Sequence, residues 1–151
     1  MKSFLVLFFL LSGLFSFSQC NNHHQEACEL PFDWPYEFDS QSISRGTFPG
    51  KAFYFKVILY ENKDYYIGFC KPQNYSFENT HFKITIDDTE LDNSYATQEN
   101  ENLMSFELSN DEPRFIIIEI KLDKMQPISY TQADLKCLGV IIGSKETEET
   151  Y

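Results

Sequence analysis

Four cysteines and three histidines are the residues of this chain best suited to bind a metal or to form covalent links. Two of the cysteines and two of the histidines lie close together, in the segment CNNHHQEAC from Cys20 to Cys28. Thiolate and imidazole groups at this density could bind zinc. In an oxidising compartment the same thiols form disulfides, whereas metal-binding thiols must stay reduced. We therefore expect disulfides here rather than a metal site.

The even cysteine count predicts two disulfides among Cys20, Cys28, Cys70 and Cys137. Four cysteines allow three pairings, and we favour Cys20–Cys28 and Cys70–Cys137. The first would close a short N-terminal loop, and the second would tie the middle of the chain to its last strand. An alternative makes Cys20 the lipidated cysteine of a bacterial lipoprotein. Gln19 stands where that signal requires a small residue, and lipidation would leave an odd number of thiols.

A second possible metal site lies in the acidic stretch that begins at residue 87. Asp88, Glu90 and Asp92 have the one-three-five spacing of a calcium loop, and Glu99 falls at the twelfth position. An EF-hand requires glycine where this chain has Asn93, and strands rather than helices flank the loop. A looser calcium site remains an alternative. The simplest interpretation is a solvated hairpin loop, because Asp and Asn favour turns.

An aromatic segment, LPFDWPYEFD, runs from Leu30 to Asp39. Its two prolines exclude a helix interior and a central strand. Aromatic side chains often dominate the energetics of protein interfaces, so its four rings are our candidates for partner binding. They are Phe32, Trp34, Tyr36 and Phe38. The alternative is that the rings pack on the body of the domain, since large rings are usually well buried.

No catalytic motif emerges from the sequence, so we expect a protein that is not an enzyme. His81 begins a strand on its polar face and is expected to be a solvated surface residue. A hydrolase would require a cleft that joins His81 to a serine and an acid, and nothing in the sequence points to one.

The first 19 residues have the layout of a secretory signal peptide. Lys2 precedes an apolar run from Phe4 to Leu11. The whole span from Phe4 to Phe17 has fourteen residues, short of the roughly 20 that a helix needs to cross a bilayer. Removing them takes one lysine from 12 basic and 23 acidic residues, which leaves a formal charge of −12. Such an acidic chain argues against nucleic acid and anionic lipid as partners.

The remainder of the chain predicts an all-β protein. Short runs of alternating apolar and polar residues are separated by turn residues, and no long amphipathic helix appears. About seven or eight strands of this kind are typical of an antiparallel β-sandwich or jelly roll. The predicted divisions are a signal peptide at 1–19, an irregular segment at 20–41, a β-sandwich at 42–143 and a flexible acidic tail at 144–151.

The stretch from Lys51 to Cys70, KAFYFKVILYENKDYYIGFC, is predicted to be the central hairpin of the sandwich. Its two aromatic-rich runs are joined by the polar turn Glu61–Asp64. In each run both faces carry apolar side chains. A strand covered on both faces belongs in the middle of a sheet.

Several segments resemble those of small secreted bacterial β-sandwich proteins, and the resemblance covers roughly residues 43–143. The matching segments are Lys63–Ile67, Ile84–Asn93, Met104–Leu108 and Cys137–Gly143, and the signal ending Ser16–Gln19 is similar to those of Bacteroidota. The resemblance implies a fold similar to the jelly-roll accessory domains of secreted peptidases and carbohydrate-active enzymes, and it implies no catalytic residues. It also implies a location in the periplasm, at the outer membrane or outside the cell.

Two functions follow as hypotheses. The first is a non-catalytic accessory subunit that docks on a protein complex of the cell envelope through the aromatic segment. The second is a carbohydrate-binding module, in which Trp34, Tyr36 and Tyr75 would stack on sugar rings and calcium could stabilise the fold.

Overall fold

The computed structural model of the protein describes residues 20–30, 34–72, 75–87, 89–91, 96–99, 101–124 and 135–147. These residues form two antiparallel sheets that pack face to face, which confirms the predicted β-sandwich with ten strands instead of seven or eight. The elements are a short helix α1 (His23–Glu26) and strands β1 (Glu37–Phe38), β2 (Ile43–Thr47), β3 (Ala52–Leu59), β4 (Lys63–Cys70), β5 (Thr80–Ile86), β6 (Thr89–Leu91), β7 (Thr97–Gln98), β8 (Leu103–Asn110), β9 (Arg114–Leu122) and β10 (Lys136–Glu146).

The larger sheet has six strands in the order β1-β10-β4-β8-β7, and β2 pairs with β10 beyond the end of β1. The smaller sheet has four strands in the order β3-β9-β5-β6. Strand β4 therefore lies inside the six-stranded sheet, whereas β3 is an edge strand of the other sheet.

Alternation along the strands builds the core between the sheets, because successive side chains of a strand point to opposite faces. The inward residues of the six longest strands of the two sheets meet in this core. They include Phe53, Val57 and Leu59 of β3, Tyr65, Ile67 and Phe69 of β4, Phe82 and Ile84 of β5, Met104 and Phe106 of β8, Ile116, Ile118, Ile120 and Leu122 of β9, and Leu138, Val140 and Ile142 of β10.

The predicted central hairpin is wrong, because β3 and β4 belong to different sheets. The chain crosses from one sheet to the other at Tyr60–Asn62, where Asn62 has a positive φ of 57°. A short polar turn between two apolar runs fits a crossing between sheets as well as a hairpin. Two-sided coverage is confirmed for β4 and is wrong for β3, whose outward residues Tyr54, Lys56 and Ile58 are exposed.

A second apolar cluster lies on the outer face of the six-stranded sheet. There the segment that precedes β2, which we call the strap (Cys20–Leu30 and Trp34–Phe38), covers β4 and β10. Two glycines of β10, Gly139 and Gly143, leave space for the strap on this face. A Cβ at Gly139 would lie 2.8 Å from the Cα of His24, and a Cβ at Gly143 would lie 2.7 Å from the Trp34 ring. The cluster contains Cys28, Tyr36, Tyr66, Cys70, Leu103 and Ile141.

Two disulfides fasten the strap, and they correct the predicted pairing. Cys20 is bonded to Cys137 of β10, and Cys28 is bonded to Cys70 of β4. Cys70 and Cys137 do lie on adjacent strands and face the same way, since Gly139 is the register partner of Cys70. Each of them bonds to the strap above instead of to the other. The spacing of the cysteines in the sequence does not reveal this pairing, because the pairing depends on the strap packing over β4 and β10.

Two predicted boundaries also differ from the structure. Strand β10 extends to Glu146, three residues beyond the predicted end of the sandwich, because Ser144 to Glu146 pair with the start of β4. The N-terminal segment, predicted to be irregular, contains α1 and β1. Residues 1–19, which hold the predicted signal peptide, lie outside the described part of the chain. Among the described residues, no helix has the length and apolar character needed to cross a membrane.

Candidate functional site: an exposed apolar face

Six large apolar side chains are exposed among the described residues, and five of them lie together. Four belong to the outer face of β3 and β9, and Tyr60 directly follows β3. We call this surface the β3–β9 face. Its members are Tyr54, Ile58, Tyr60, Phe115 and Ile117, with Lys56 among them.

The register of the two strands makes this surface continuous. Ile58 is paired with Phe115, and Lys56 is paired with Ile117. Directly opposed residues of antiparallel strands bring their Cβ atoms about 4.5–5.5 Å apart, so these side chains touch across the strands. The inward neighbours of the same residues, such as Val57 and Ile116, fill the core. The exposed side chains are therefore fixed in place by the backbone that builds the core.

Polar groups frame the apolar centre. The Lys56 ammonium lies 3.2 Å from the centroid of the Phe115 ring, which is a cation–π contact. The Tyr54 hydroxyl donates to Glu119 at 3.1 Å, and this hydrogen bond is the main reason that the pKa of Tyr54 is raised. Lys83 contacts the other oxygen of Glu119 at 3.7 Å. The face thus combines rings, aliphatic groups and a lysine that belongs to no ion pair among the described residues.

The aromatic segment predicted to bind a partner mainly serves the fold. Phe32 lies outside the described residues, Trp34 is half-buried and Tyr36 is buried. The Trp34 ring meets the Tyr66 ring edge-on, with centroids 4.5 Å apart. Phe38 is exposed and stacks on Trp34 at 5.5 Å. The packing interpretation therefore holds for Trp34 and Tyr36, and of the described rings of this segment Phe38 alone is exposed.

Tyr36 also has a polar contact on this side of the molecule. Burial, together with the nearby carboxylates and a hydrogen bond to Glu107, raises the pKa of Tyr36 to about 12. Burial also raises the pKa of neighbouring Tyr66, whose ring packs against those of Trp34 and Tyr36.

The rings proposed for carbohydrate stacking do not form an exposed platform. Tyr36 and Tyr75 are both buried, and Tyr75 belongs to the core between the sheets. Stacking on a sugar requires an open ring face, so neither of these two tyrosines is placed for it. The observed positions therefore give no support to a carbohydrate site made of Trp34, Tyr36 and Tyr75.

The acidic stretch is only partly described, since Asp88 and Asp92 lie outside the described residues. Glu90 lies on the short strand β6, and its carboxylate accepts a hydrogen bond from Lys83 at 3.1 Å. Within the described ranges, no group of three or more His, Cys, Asp or Glu side chains is close enough to hold a metal ion.

A groove beside the strap has a volume of about 560 Å³. His24 lines it, and its Nδ1 lies 2.5 Å from the Ser44 hydroxyl, which also accepts a hydrogen bond from the His24 backbone N–H. Burial and neighbouring His23 lower the pKa of His24, and no described carboxylate contributes to its shift. No described carboxylate hydrogen-bonds to the His24 ring, and the double contact with Ser44 joins α1 to β2.

His81, the histidine considered for catalysis, is exposed and pairs with Asp123 at 3.1 Å. Its predicted solvated position is confirmed. No described serine lies within hydrogen-bonding distance of its ring, so the residues of a hydrolase site are not assembled there.

The β3–β9 face was missed by sequence reasoning, although its signal was present. The apolar outward residues of β3 were interpreted as covered, and no role was predicted for Phe115 and Ile117 of β9. The signal is that both strands carry apolar residues on the face opposite the core. Such residues indicate either a sheet face covered by another segment or an exposed binding surface.

Comparison with protein-family models, with curated proteins and with solved structures gives no match for this chain.

Proposed function

We propose that the protein is a non-catalytic, exported binding subunit that docks on a protein of the cell envelope through the β3–β9 face. The observation that carries this proposal is the contrast between the two sheets. The outer face of the six-stranded sheet is covered by the strap, whereas the outer face of the four-stranded sheet presents four large apolar side chains to solvent, with exposed Tyr60 directly after β3. Contiguous exposed apolar patches of this kind are typical of interaction sites.

The chemistry of the face suits protein docking. Rings and aliphatic side chains at its centre are surrounded by Lys56, Lys83 and Glu119, which matches the apolar core and polar rim of protein interfaces. The side chains that build it come from two paired strands with a rigid core beneath them. Docking would therefore order few side chains, which lowers the entropic cost of binding.

The disulfides support an oxidising location. The described cysteines are all in disulfides, and such bonds are rare in the reducing cytosol. The apolar N-terminal stretch has the layout of a signal peptide, which supports export through the secretory route. The resemblance to secreted bacterial β-sandwich proteins favours an envelope partner over a soluble one.

The proposal is tested by capturing partners from the envelope fraction of the host cell with tagged wild-type protein and with Phe115→Ser. Phe115 is 51% exposed, so the substitution should leave the fold intact, which circular dichroism and the urea midpoint would check. We expect a stoichiometric partner with the wild-type protein and at least about tenfold less with the variant, since aromatic residues are frequent interface hot spots.

Phe38→Ser is the matched control, because Phe38 is 59% exposed but lies on the strap side of the molecule. Capture that survives Phe38→Ser and fails with Phe115→Ser supports docking through the β3–β9 face. The opposite pattern would instead restore the aromatic segment as the binding surface. No stoichiometric partner with the wild-type protein would contradict the docking function itself.

A further inference from the structure

Among the described residues strand β3 pairs with β9 alone, so no described strand covers its other edge. A free edge presents backbone N–H and C=O groups that can accept another strand. At one position this edge is already occupied by a side chain. Gln41 Nε2 donates to the Ile58 carbonyl at 3.0 Å, and the Ile58 N–H donates to Gln41 Oε1 at 2.7 Å. The glutamine amide thus makes the two hydrogen bonds that a neighbouring strand would make.

The alternation of the backbone extends this argument along β3. In an antiparallel pair, residues two apart point their backbone groups the same way, and the register of β3 with β9 is unbroken from Ala52 to Leu59. Because the backbone groups of Ile58 face away from β9, those of Tyr54 and Lys56 do so too. No described residue hydrogen-bonds to these outward groups, so at least two successive positions of the edge are open.

We propose that β3 accepts an extended strand of the protein partner, with a carboxylate of that strand placed against Lys56. This strand addition rests on the proposed docking function, and it specifies main-chain pairing and an acidic side chain as the contact. Strand addition supplies affinity through main-chain hydrogen bonds, and alternate side chains supply specificity. The incoming strand would lie beside Tyr54, Lys56 and Ile58, so it would extend the β3–β9 face.

The charges near this edge favour an acidic strand. Arg45 lies over the Phe53 ring at 4.9 Å, and Lys51 lies over the Phe48 ring at 5.8 Å. Together with Lys56 they are exposed cations at or beside β3, and in the described part of the chain none of them belongs to a salt bridge. These three cations contrast with the formal charge of −11 of the chain as a whole.

The same charges argue against a second copy of this chain as the partner. Two copies joined edge to edge through β3 would bring Lys56 and its cationic neighbours close to their own counterparts. Like charges placed across paired strands are destabilising, and lysine on an edge strand is a known protection against self-association. Lys56 therefore selects an acidic strand and disfavours self-pairing.

The test uses two synthetic eight-residue peptides with blocked ends, one alternating valine with glutamate and one alternating valine with lysine. Each is titrated into the ¹⁵N-labelled mature protein, and amide shifts and hydrogen exchange are followed by NMR. We expect the glutamate peptide to shift and protect the Tyr54 and Lys56 amides. The Ile58 amide should stay unchanged, because Gln41 already protects it. The lysine peptide should bind at least about tenfold more weakly.

Lys56→Glu should reverse the preference between the two peptides. Lys121→Glu is the matched control, because Lys121 is exposed on the same sheet face but lies on β9, away from the free edge. No shift and no protection of the Tyr54 and Lys56 amides at saturating peptide would overturn strand addition. Equal binding of the two peptides would overturn the proposed carboxylate.

These outcomes are separable from those of the docking experiment. If Phe115→Ser loses the partner but the Tyr54 and Lys56 amides respond to neither peptide, docking through the β3–β9 face is supported and strand addition is refuted. Edge amides that respond as expected, while no envelope partner is captured, support the acceptor edge and refute the envelope partner.

Discussion

Gly143 lies directly beneath Trp34, so that a Cβ at this glycine would come within 2.7 Å of the indole ring and 2.8 Å of the Tyr36 Cβ. The strap therefore packs closely on β10 at positions where glycine leaves no side chain in the way. This contact belongs to the apolar cluster through which the strap covers the outer face of the six-stranded sheet.

Replacing this glycine should loosen the strap. We expect Gly143→Ala to lower the free energy of unfolding by about 1–3 kcal/mol, because the added methyl group must displace the Trp34 ring and the Tyr36 Cβ. Urea denaturation followed by tryptophan fluorescence measures the change, since Trp34 is the single tryptophan of the chain. The adjacent Ser144→Ala serves as control and should change the free energy by no more than about 0.5 kcal/mol. Equal stability of Gly143→Ala and wild type would mean that the strap does not pack as described.

The disulfide pairing gives a second prediction. Digestion of the non-reduced protein with trypsin and a glutamyl endopeptidase cuts between Cys20 and Cys28 at Glu26, which allows all pairings to be distinguished by mass spectrometry. We expect linked peptides that join Cys20 to Cys137 and Cys28 to Cys70. A linked peptide that joins Cys70 to Cys137 would contradict the structure and restore the pairing favoured from the sequence.

Loss of one of these links should be costly. Cys28 and Cys70 are separated by 42 residues. The loop-entropy relation gives about 4 kcal/mol for a link of this length, and removal of native disulfides from small secreted domains typically costs 2–5 kcal/mol. The double variant Cys28→Ala with Cys70→Ala should therefore lose a few kcal/mol of unfolding free energy in urea melts, while the link between Cys20 and Cys137 remains. A loss below about 1 kcal/mol would show that the strap contributes little.

The raised pKa of Tyr36 predicts a loss of stability in alkali. A tyrosine of the unfolded chain releases its proton near pH 10, whereas folded Tyr36 holds it to about pH 12. Between these values the unfolded state binds fewer protons than the folded state, so the free energy of unfolding falls as pH rises. The stabilising contribution is complete below pH 10 and decreases by at most about 1.4 kcal/mol per pH unit for this one group.

Urea melts between pH 9 and 12 test this titration. Tyr36→Phe should show a shallower decline than the wild-type protein across that range, because phenylalanine cannot ionise. Tyr60→Phe is a suitable control, since Tyr60 is exposed. Parallel pH profiles of Tyr36→Phe and wild type would contradict the buried, neutral state assigned to Tyr36.

The fold was predictable from the sequence to the extent that it depends on alternation. The inward and outward residues of β4, β8 and β9 follow directly from a period of two, because successive side chains of a strand point to opposite faces whichever strand lies beside it. Which strands pair could not be read in this way. Tyr60–Asn62 looks like a hairpin turn, yet it carries the chain between sheets, and only the pairing of β3 with β9 reveals this.

The candidate site shows a similar limit. Apolar residues on the outer face of β4 are buried because the strap covers them, whereas those on the outer face of β3 are exposed. The two strands carry similar patterns, and coverage depends on a segment distant in sequence. The strap itself was predicted from its prolines as a non-helical, non-central segment, but its rings were assigned to a partner when most of the described ones face the molecule's own sheet.

Site-specific photo-crosslinking in the host cell tests the central claim most directly. A photoreactive phenylalanine analogue would replace Phe115 in one strain and Phe38 in another, so that both probes are exposed aromatic side chains on opposite sides of the molecule. We expect a discrete adduct with one envelope protein from position 115 and none from position 38. An adduct from position 38 alone would contradict docking through the β3–β9 face.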